Sequence, residues 1–157
     1  MLERIRFLTA GESHGKGLLG IIEGLPSNIK ISETYVKQHL SRRQKGHGRG
    51  GRMKIEDDFA EFIGGVRYGE TLGGPIGLQI KNKDWENWKD VMDHNIPEKP
   101  SKPITMLRPG HADLAGLQKF GMNDIRNILE RSSARETTMR VALGSFCRKM
   151  LEDIGIE

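Results

Sequence analysis

Apolar residues near the C-terminus recur at three- and four-residue steps. Leu143, Phe146, Cys147, Met150, Leu151 and Ile154 form one stripe of an amphipathic helix. Ser133 and Glu136 just upstream have the spacing of a capping box, which predicts that this helix begins near Ala134. Earlier in the chain the period shortens. Ile5 to Thr9 and Leu18 to Glu23 read as strands around the tight loop Gly11-Glu12-Ser13-His14-Gly15, and Pro26-Ser27-Asn28 as a turn. Ser32 caps a helix carrying Tyr35, Val36, His39 and Leu40 that runs out near Arg43. Lys54 to Glu56, Phe59 to Ile63 and Ile76 to Ile80 look like strands, with glycine turns at 64–65 and 73–74. Trp85, Trp88 and Met92 fit a short helix, and Pro97, Pro100 and Pro103 an extended connector. A short helix after Pro109 leads to Gly121, and Asn123 or Asp124 starts another that reaches Arg131. Gly155 suits the left-handed residue after a helix and Ile156 the start of a further element, so the chain reads as cut short. The order is α+β, without the regular alternation of a doubly wound sheet.

With 157 residues, the chain reads as one domain with its own core and no internal boundary over 1–157. No apolar run approaches the roughly 20 residues of a membrane helix, and no signal-peptide core is present, which points to the cytoplasm and excludes a membrane partner. The single cysteine, Cys147, lies on the apolar stripe and cannot form an internal disulfide; no cysteine-based metal site is possible and no metal is expected. Net charge is only +4, but Lys37 to Lys54 holds seven Lys and Arg residues and no acidic one, so that segment should meet an anion.

Four segments carry candidate chemistry. The helix start near Ala134 would aim unpaired N–H groups, the hydroxyls of Ser132 and Ser133, and Arg131 and Arg135 at one place, suited to phosphate or carboxylate; an ordinary capped helix with solvated arginines fits the same residues. Gly11 to Gly15 matches the Gly-x-Ser-x-Gly pattern of a hydrolase elbow around Ser13, but a strand is expected to follow it where an elbow needs a helix. Its glycines could instead free the backbone to project His14 as a proton donor. The run Arg42 to Arg52, with Arg43, Arg49 and Arg52, suits either an anionic-metabolite pocket or an RNA-binding segment, or a solvated loop. RNA binding would want interleaved aromatics, and none lies between Tyr35 and Phe59. In Arg108-Pro109-Gly110-His111-Ala112-Asp113, Asp113 either orients His111 or caps a helix beside an exposed histidine. His39, His47 and His94 read as structural or solvated.

Taken in order, Gly11 to Gly15, Gly48-Arg49-Gly50-Gly51-Arg52-Met53-Lys54-Ile55-Glu56, Arg108 to Leu114 and Glu130 to Gly144 closely resemble the chorismate synthase family. The likeness covers the chain end to end but only the N-terminal part of the family's longer chain. It implies an incomplete part of a β-α-β sandwich that assembles as a homotetramer. It also implies an anti-1,4-elimination of phosphate from 5-enolpyruvylshikimate 3-phosphate, an anionic small-molecule substrate, to give chorismate, with reduced FMN as cofactor and no net oxidation. NADPH would serve a bifunctional, flavin-reducing branch; no nucleic acid is implied. Carried over by position, His14 would protonate or poise the flavin and His111 would protonate the leaving phosphate. Arg131, Ser132 and Ser133 would contact FMN, with Arg43 and Arg49 placed where a nicotinamide-nucleotide contact is sometimes assigned. Ser13, Arg52, Arg108 and Arg135 would hold the substrate. The family's proton-abstracting aspartate would lie beyond Glu157, so residues 1–157 alone are expected to be inactive.

Overall fold

A computed structural model describes residues 4–45 and 55–156. In chain order its strands are β1 (Arg6–Ala10), β2 (Gly17–Glu23), β3 (Ser27–Lys30), β4 (Glu61–Gly64), β5 (Val66–Arg67), β6 (Glu70–Leu72) and β7 (Ile76–Lys81). Its helices are α1 (Glu33–Gln44), α2 (Lys89–Met92), α3 (Asp113–Phe120), α4 (Arg126–Arg131) and α5 (Glu136–Asp153), with a 3₁₀ turn over Lys83–Asn87. The chain is α+β, as read. Strands form an antiparallel four-stranded sheet in the order β1-β2-β7-β4 and a small three-stranded sheet in the order β3-β6-β5.

Alternation within β2 and β7 decides how the large sheet is covered. The register sets Leu18 beside Ile80, Gly20 beside Leu78 and Ile22 beside Ile76 on one face, where these apolar side chains are buried under α5. Burying each large side chain contributes roughly 1.5–3 kcal/mol. Gly20 lets the helix approach, because a Cβ there would lie 2.5 Å from the Met139 sulfur. From α1, Val36 and Leu40 complete the core with Met139, Ala142, Leu143 and Phe146 of α5. The other face of the sheet leaves Leu8, Leu19, Ile21 and Ile63 exposed.

Several expectations change. The apolar stripe of α5 is displaced toward its N-terminus: Met139 and Ala142 are buried, whereas Leu151 and Ile154 are exposed. Ser27 opens β3 rather than a turn, because the Thr71 hydroxyl accepts the Ile29 N–H and donates to the Pro26 carbonyl, bridging β3 to β6. Ile55 and Glu56 are not in a strand; Gln44 and Lys83 hold this stretch by bonding the Glu56 carbonyl and carboxylate. Ser32 caps α1 as expected, accepting the Tyr35 N–H at 3.2 Å. No helix among the described residues is long and apolar enough to cross a membrane.

Candidate active site

The break between α4 and α5 is the organising feature, but it is built differently from the predicted capping box. The helix begins at Glu136 rather than near Ala134. The Ser133 hydroxyl accepts the Arg135 N–H at 3.3 Å and donates to the Ser13 hydroxyl at 3.1 Å. Glu136 turns its carboxylate outward, accepting from the Thr9 hydroxyl and from Arg140 Nε, each at 2.8 Å. Nor are the first N–H groups of α5 left for an anion. Those of Glu136, Thr137 and Thr138 donate to the carbonyls of Ser133, Ala134 and Arg135 at 3.0–3.2 Å, a 3₁₀-type tightening that satisfies helix ends from within. Side chains supply the positive character instead. Arg131 Nη2 donates to the Thr9 carbonyl and hydroxyl at 2.8 Å, and its buried Nη1 has no hydrogen-bond acceptor.

Two hollows meet at this junction. One of about 290 Å³ is lined by Arg131, Ser132, Ser133, Thr137 and Arg140, together with Glu136. The other, about 280 Å³, shares Arg131 and Ser132 but is otherwise walled largely by Gly116, Phe120, Met122 and Ile128. A polar compartment therefore adjoins an apolar one.

The Gly11–Gly15 loop is docked against the same helix break. Ser13 N–H donates to the Glu130 carbonyl at 3.0 Å, and His14 N–H to the Glu130 carboxylate at 2.8 Å. The His14 ring stacks on Trp88 with centroids 3.9 Å apart, and its Nδ1 lies 2.9 Å from Glu130 Oε1. Asn82 pins the loop by donating to the carbonyls of Glu12 and Gly15. Because β2 follows directly, the Gly-x-Ser-x-Gly pattern is not an elbow.

His111 sits before α3, and Arg108 organises it. Arg108 grips buried Asp113 through Nε and Nη2 at 3.0 and 2.8 Å, while Nη2 also lies 2.9 Å from His111 Nδ1. A guanidinium only donates, so in the neutral ring Nδ1 accepts and the proton sits on Nε2, while Asp113 Oδ1, 3.4 Å from Nδ1, is placed to accept from the protonated ring. Asp113 is not the N-cap of α3; that position is Ala112. It orients His111 chiefly through Arg108. The Arg108 hydrogen bonds hold the Asp113 carboxyl down at about 2, below its usual 3.8, against the opposing effect of desolvation. A carboxyl lowered on folding stabilises above its unfolded pKa and loses that contribution as pH falls through its folded one. The thermal midpoint should therefore fall between pH 3.8 and about 2. Asp113→Asn should flatten that part of the curve, as followed by circular dichroism.

Arg43 reaches from the end of α1 to the helix break, donating to the Ala134 carbonyl at 2.7 Å and to the Thr137 hydroxyl. Arg135 does not share the outward direction expected alongside Arg131. It is buried, pairs with Asp58, lies 3.5 Å from Glu56, and donates to Asn82 Oδ1 at 2.9 Å. Arg49 and Arg52 lie outside the described residues. The structure thus gathers Ser13, His14, Arg43, Arg131, Ser132 and Ser133 at one junction, and places Arg108 and His111 beside α3, which packs on α4. Sequence reading missed Glu130 and Trp88 as partners of His14, and Asp58, Glu56 and Asn82 as partners of Arg135. For Glu130 a signal existed: an acidic residue beside Arg131 in a segment already singled out.

A family model described as chorismate synthase matches residues 5–157. A chorismate synthase of Aquifex aeolicus is 58% identical over 157 residues, covering 99% of this chain and 39% of the relative. That of a Sulfurihydrogenibium species is 59% identical over 153 residues, covering 98% of this chain and 39% of the relative. A crystal structure of chorismate synthase aligns with a TM-score of 0.73 at 44% identity, over 99% of this chain and 36% of the crystallised one. The chain therefore spans about two fifths of the length of the curated relatives it matches. With residues 5–157 accounted for by that match, the chain belongs to the chorismate synthase family.

Proposed function

We propose that this chain supplies the N-terminal part, within a single domain, of a cytoplasmic chorismate synthase, a carbon-oxygen lyase that removes phosphate from 5-enolpyruvylshikimate 3-phosphate. The observation that carries the reading is the helix break itself: in a chain of this family, the loop bearing Ser13 and His14 docks on it, and a polar and an apolar hollow adjoin at Arg131 and Ser132. A flavin mononucleotide has the matching character, an anionic phosphate joined to a flat apolar ring system. The polar hollow carries two guanidinium groups, Arg131 and Arg140, against the one Glu136 carboxylate, which supports the fit of an anionic group there. Arg131, Ser132 and Ser133 would hold it. When bound, reduced FMN supplies transient electron density to the substrate with no net oxidation.

The residues of this chain do the rest. Arg108 and Asp113 hold the His111 ring, which gives a proton from Nε2 to the phosphate as the C–O bond breaks; it does so as the imidazolium, with Asp113 Oδ1 3.4 Å from Nδ1, and is left neutral. Arg43 would border the pocket for anionic groups and Arg108 would face the substrate; Arg49 and Arg52, by their place in the sequence, would serve cofactor and substrate anions respectively. Ser13 is held by Ser133 at the same edge. The second proton, lost from carbon, goes to an aspartate in the part of the enzyme beyond residue 157. Assembly as a homotetramer belongs to the same proposal.

In the complete enzyme, chorismate should form from 5-enolpyruvylshikimate 3-phosphate only with reduced FMN, followed by product absorbance, and residues 1–157 alone should form none. Flavin-independent behaviour with tight, steeply salt-dependent binding of single-stranded RNA would overturn the reading in favour of an RNA-binding module.

A further inference from the structure

We infer that Glu130 is the residue that positions His14, setting both the place of its ring and the nitrogen through which it exchanges a proton. The inference rests on the proposed role of His14 as a proton-carrying group. Glu130 is the last residue but one of α4 and is buried, so its carboxylate faces the loop and not the solvent. Its oxygens accept from His14 twice: from the backbone N–H at 2.8 Å and from ring Nδ1 at 2.9 Å. Its own carbonyl takes the Ser13 N–H at 3.0 Å, so three bonds from one residue fix the loop and the ring together.

A carboxylate accepts only, so Nδ1 must carry a proton, and Nε2 remains the one ring atom through which His14 can give or take another. The ring cannot swing away from this arrangement, because Trp88 stacks on it at an interplanar angle of 24°. Trp88 is itself held by a hydrogen bond from Nε1 to Asp84 Oδ2 at 3.2 Å, and that oxygen lies 3.8 Å from His14 Nε2. The ring is thereby fixed by a carboxylate at one nitrogen and an indole on one face, with a second carboxylate near the other nitrogen. This is the arrangement by which buried acids hold catalytic imidazoles in one tautomer.

The isosteric change Glu130→Gln separates positioning from packing. A glutamine with its oxygen at the Oε2 position still accepts from the His14 backbone N–H, but it puts an NH₂ where Oε1 lies 2.9 Å from Nδ1. That NH₂ competes for Nδ1, and the negative charge that favours a proton on Nδ1 is gone. In the complete enzyme Glu130→Gln should lower kcat roughly 10–100-fold, with KM changed less than about threefold and the thermal midpoint retained. Glu130→Asp, which restores a carboxylate, should recover part of the loss. Because the effect runs through His14, Glu130→Gln should cost less than about twofold when added to His14→Ala, which alone lowers kcat by about 10²–10⁴. Losses that multiply in the double variant, or an unchanged kcat in Glu130→Gln, would overturn the positioning role. An unchanged kcat in His14→Ala would instead remove the underlying reading of His14.

Discussion

His111→Ala in the complete enzyme should lower kcat by about 10²–10⁴ while leaving KM nearly unchanged, the signature of a group that moves a proton in the transition state and binds little in the ground state. The size of the effect follows from how the ring is prepared. Arg108 spends two nitrogens on Asp113 and presents Nη2 to His111 Nδ1 at 2.9 Å, which places the ring, and Asp113 Oδ1, 3.4 Å from Nδ1, supports the imidazolium that gives the proton from Nε2. Arg108→Lys should show a smaller loss of the same kind, because an ammonium cannot span both carboxylate oxygens and the ring nitrogen at once. Single-turnover measurements of phosphate release test this directly. Unchanged turnover in His111→Ala would remove the proton-donor role, and a loss confined to KM would make His111 a binding group only.

The two histidines differ in how much of their setting the sequence displayed. Around His111 everything needed lies within six residues, and the Asp113 partnership was visible because Arg108, His111 and Asp113 are close in the chain; only the intermediacy of Arg108 required geometry. His14 was visible as a glycine-flanked histidine, yet its partners come from 116 and 74 residues away, through α4 and the segment before α2. No periodicity links such positions. The sheet was legible for a similar reason: β2 and β7 alternate cleanly, while β3, β5 and β6 are two to four residues long and owe their pairing to contacts such as the Thr71 hydroxyl. The capping box failed because tertiary partners won. Thr9 and Arg140 take the Glu136 carboxylate, and Ser13 engages the Ser133 hydroxyl, so the local motif never closes. Arg135 misled most, since a charged residue at a helix start is ordinarily outside, and only the fold brings Asp58 and Glu56 to it.

That burial gives Arg135→Ala a larger effect on stability than on substrate affinity. Its guanidinium lies among Asp58, Glu56 and the Asn82 carbonyl oxygen, all buried, with Arg43 Nη1 3.9 Å from the far oxygen of Asp58. Removing it takes from Asp58, in a low-dielectric setting, its close counter-charge, a change that costs about 3–5 kcal/mol. At roughly 2–4 °C per kcal/mol for a domain of this size, the thermal midpoint should fall by on the order of 10 °C. Asp58→Asn in the same background should recover part of the loss, because it removes the charge that Arg135 had paired. Calorimetry on the single and double variants reads both. The Asn82 bond adds a second consequence: the Asn82 side chain also donates to the Glu12 and Gly15 carbonyls, so loss of Arg135 should loosen the loop that carries His14 and lower kcat as well. A retained midpoint with a raised KM would mean that Arg135 turns outward and holds the substrate, as its place in the sequence first implied.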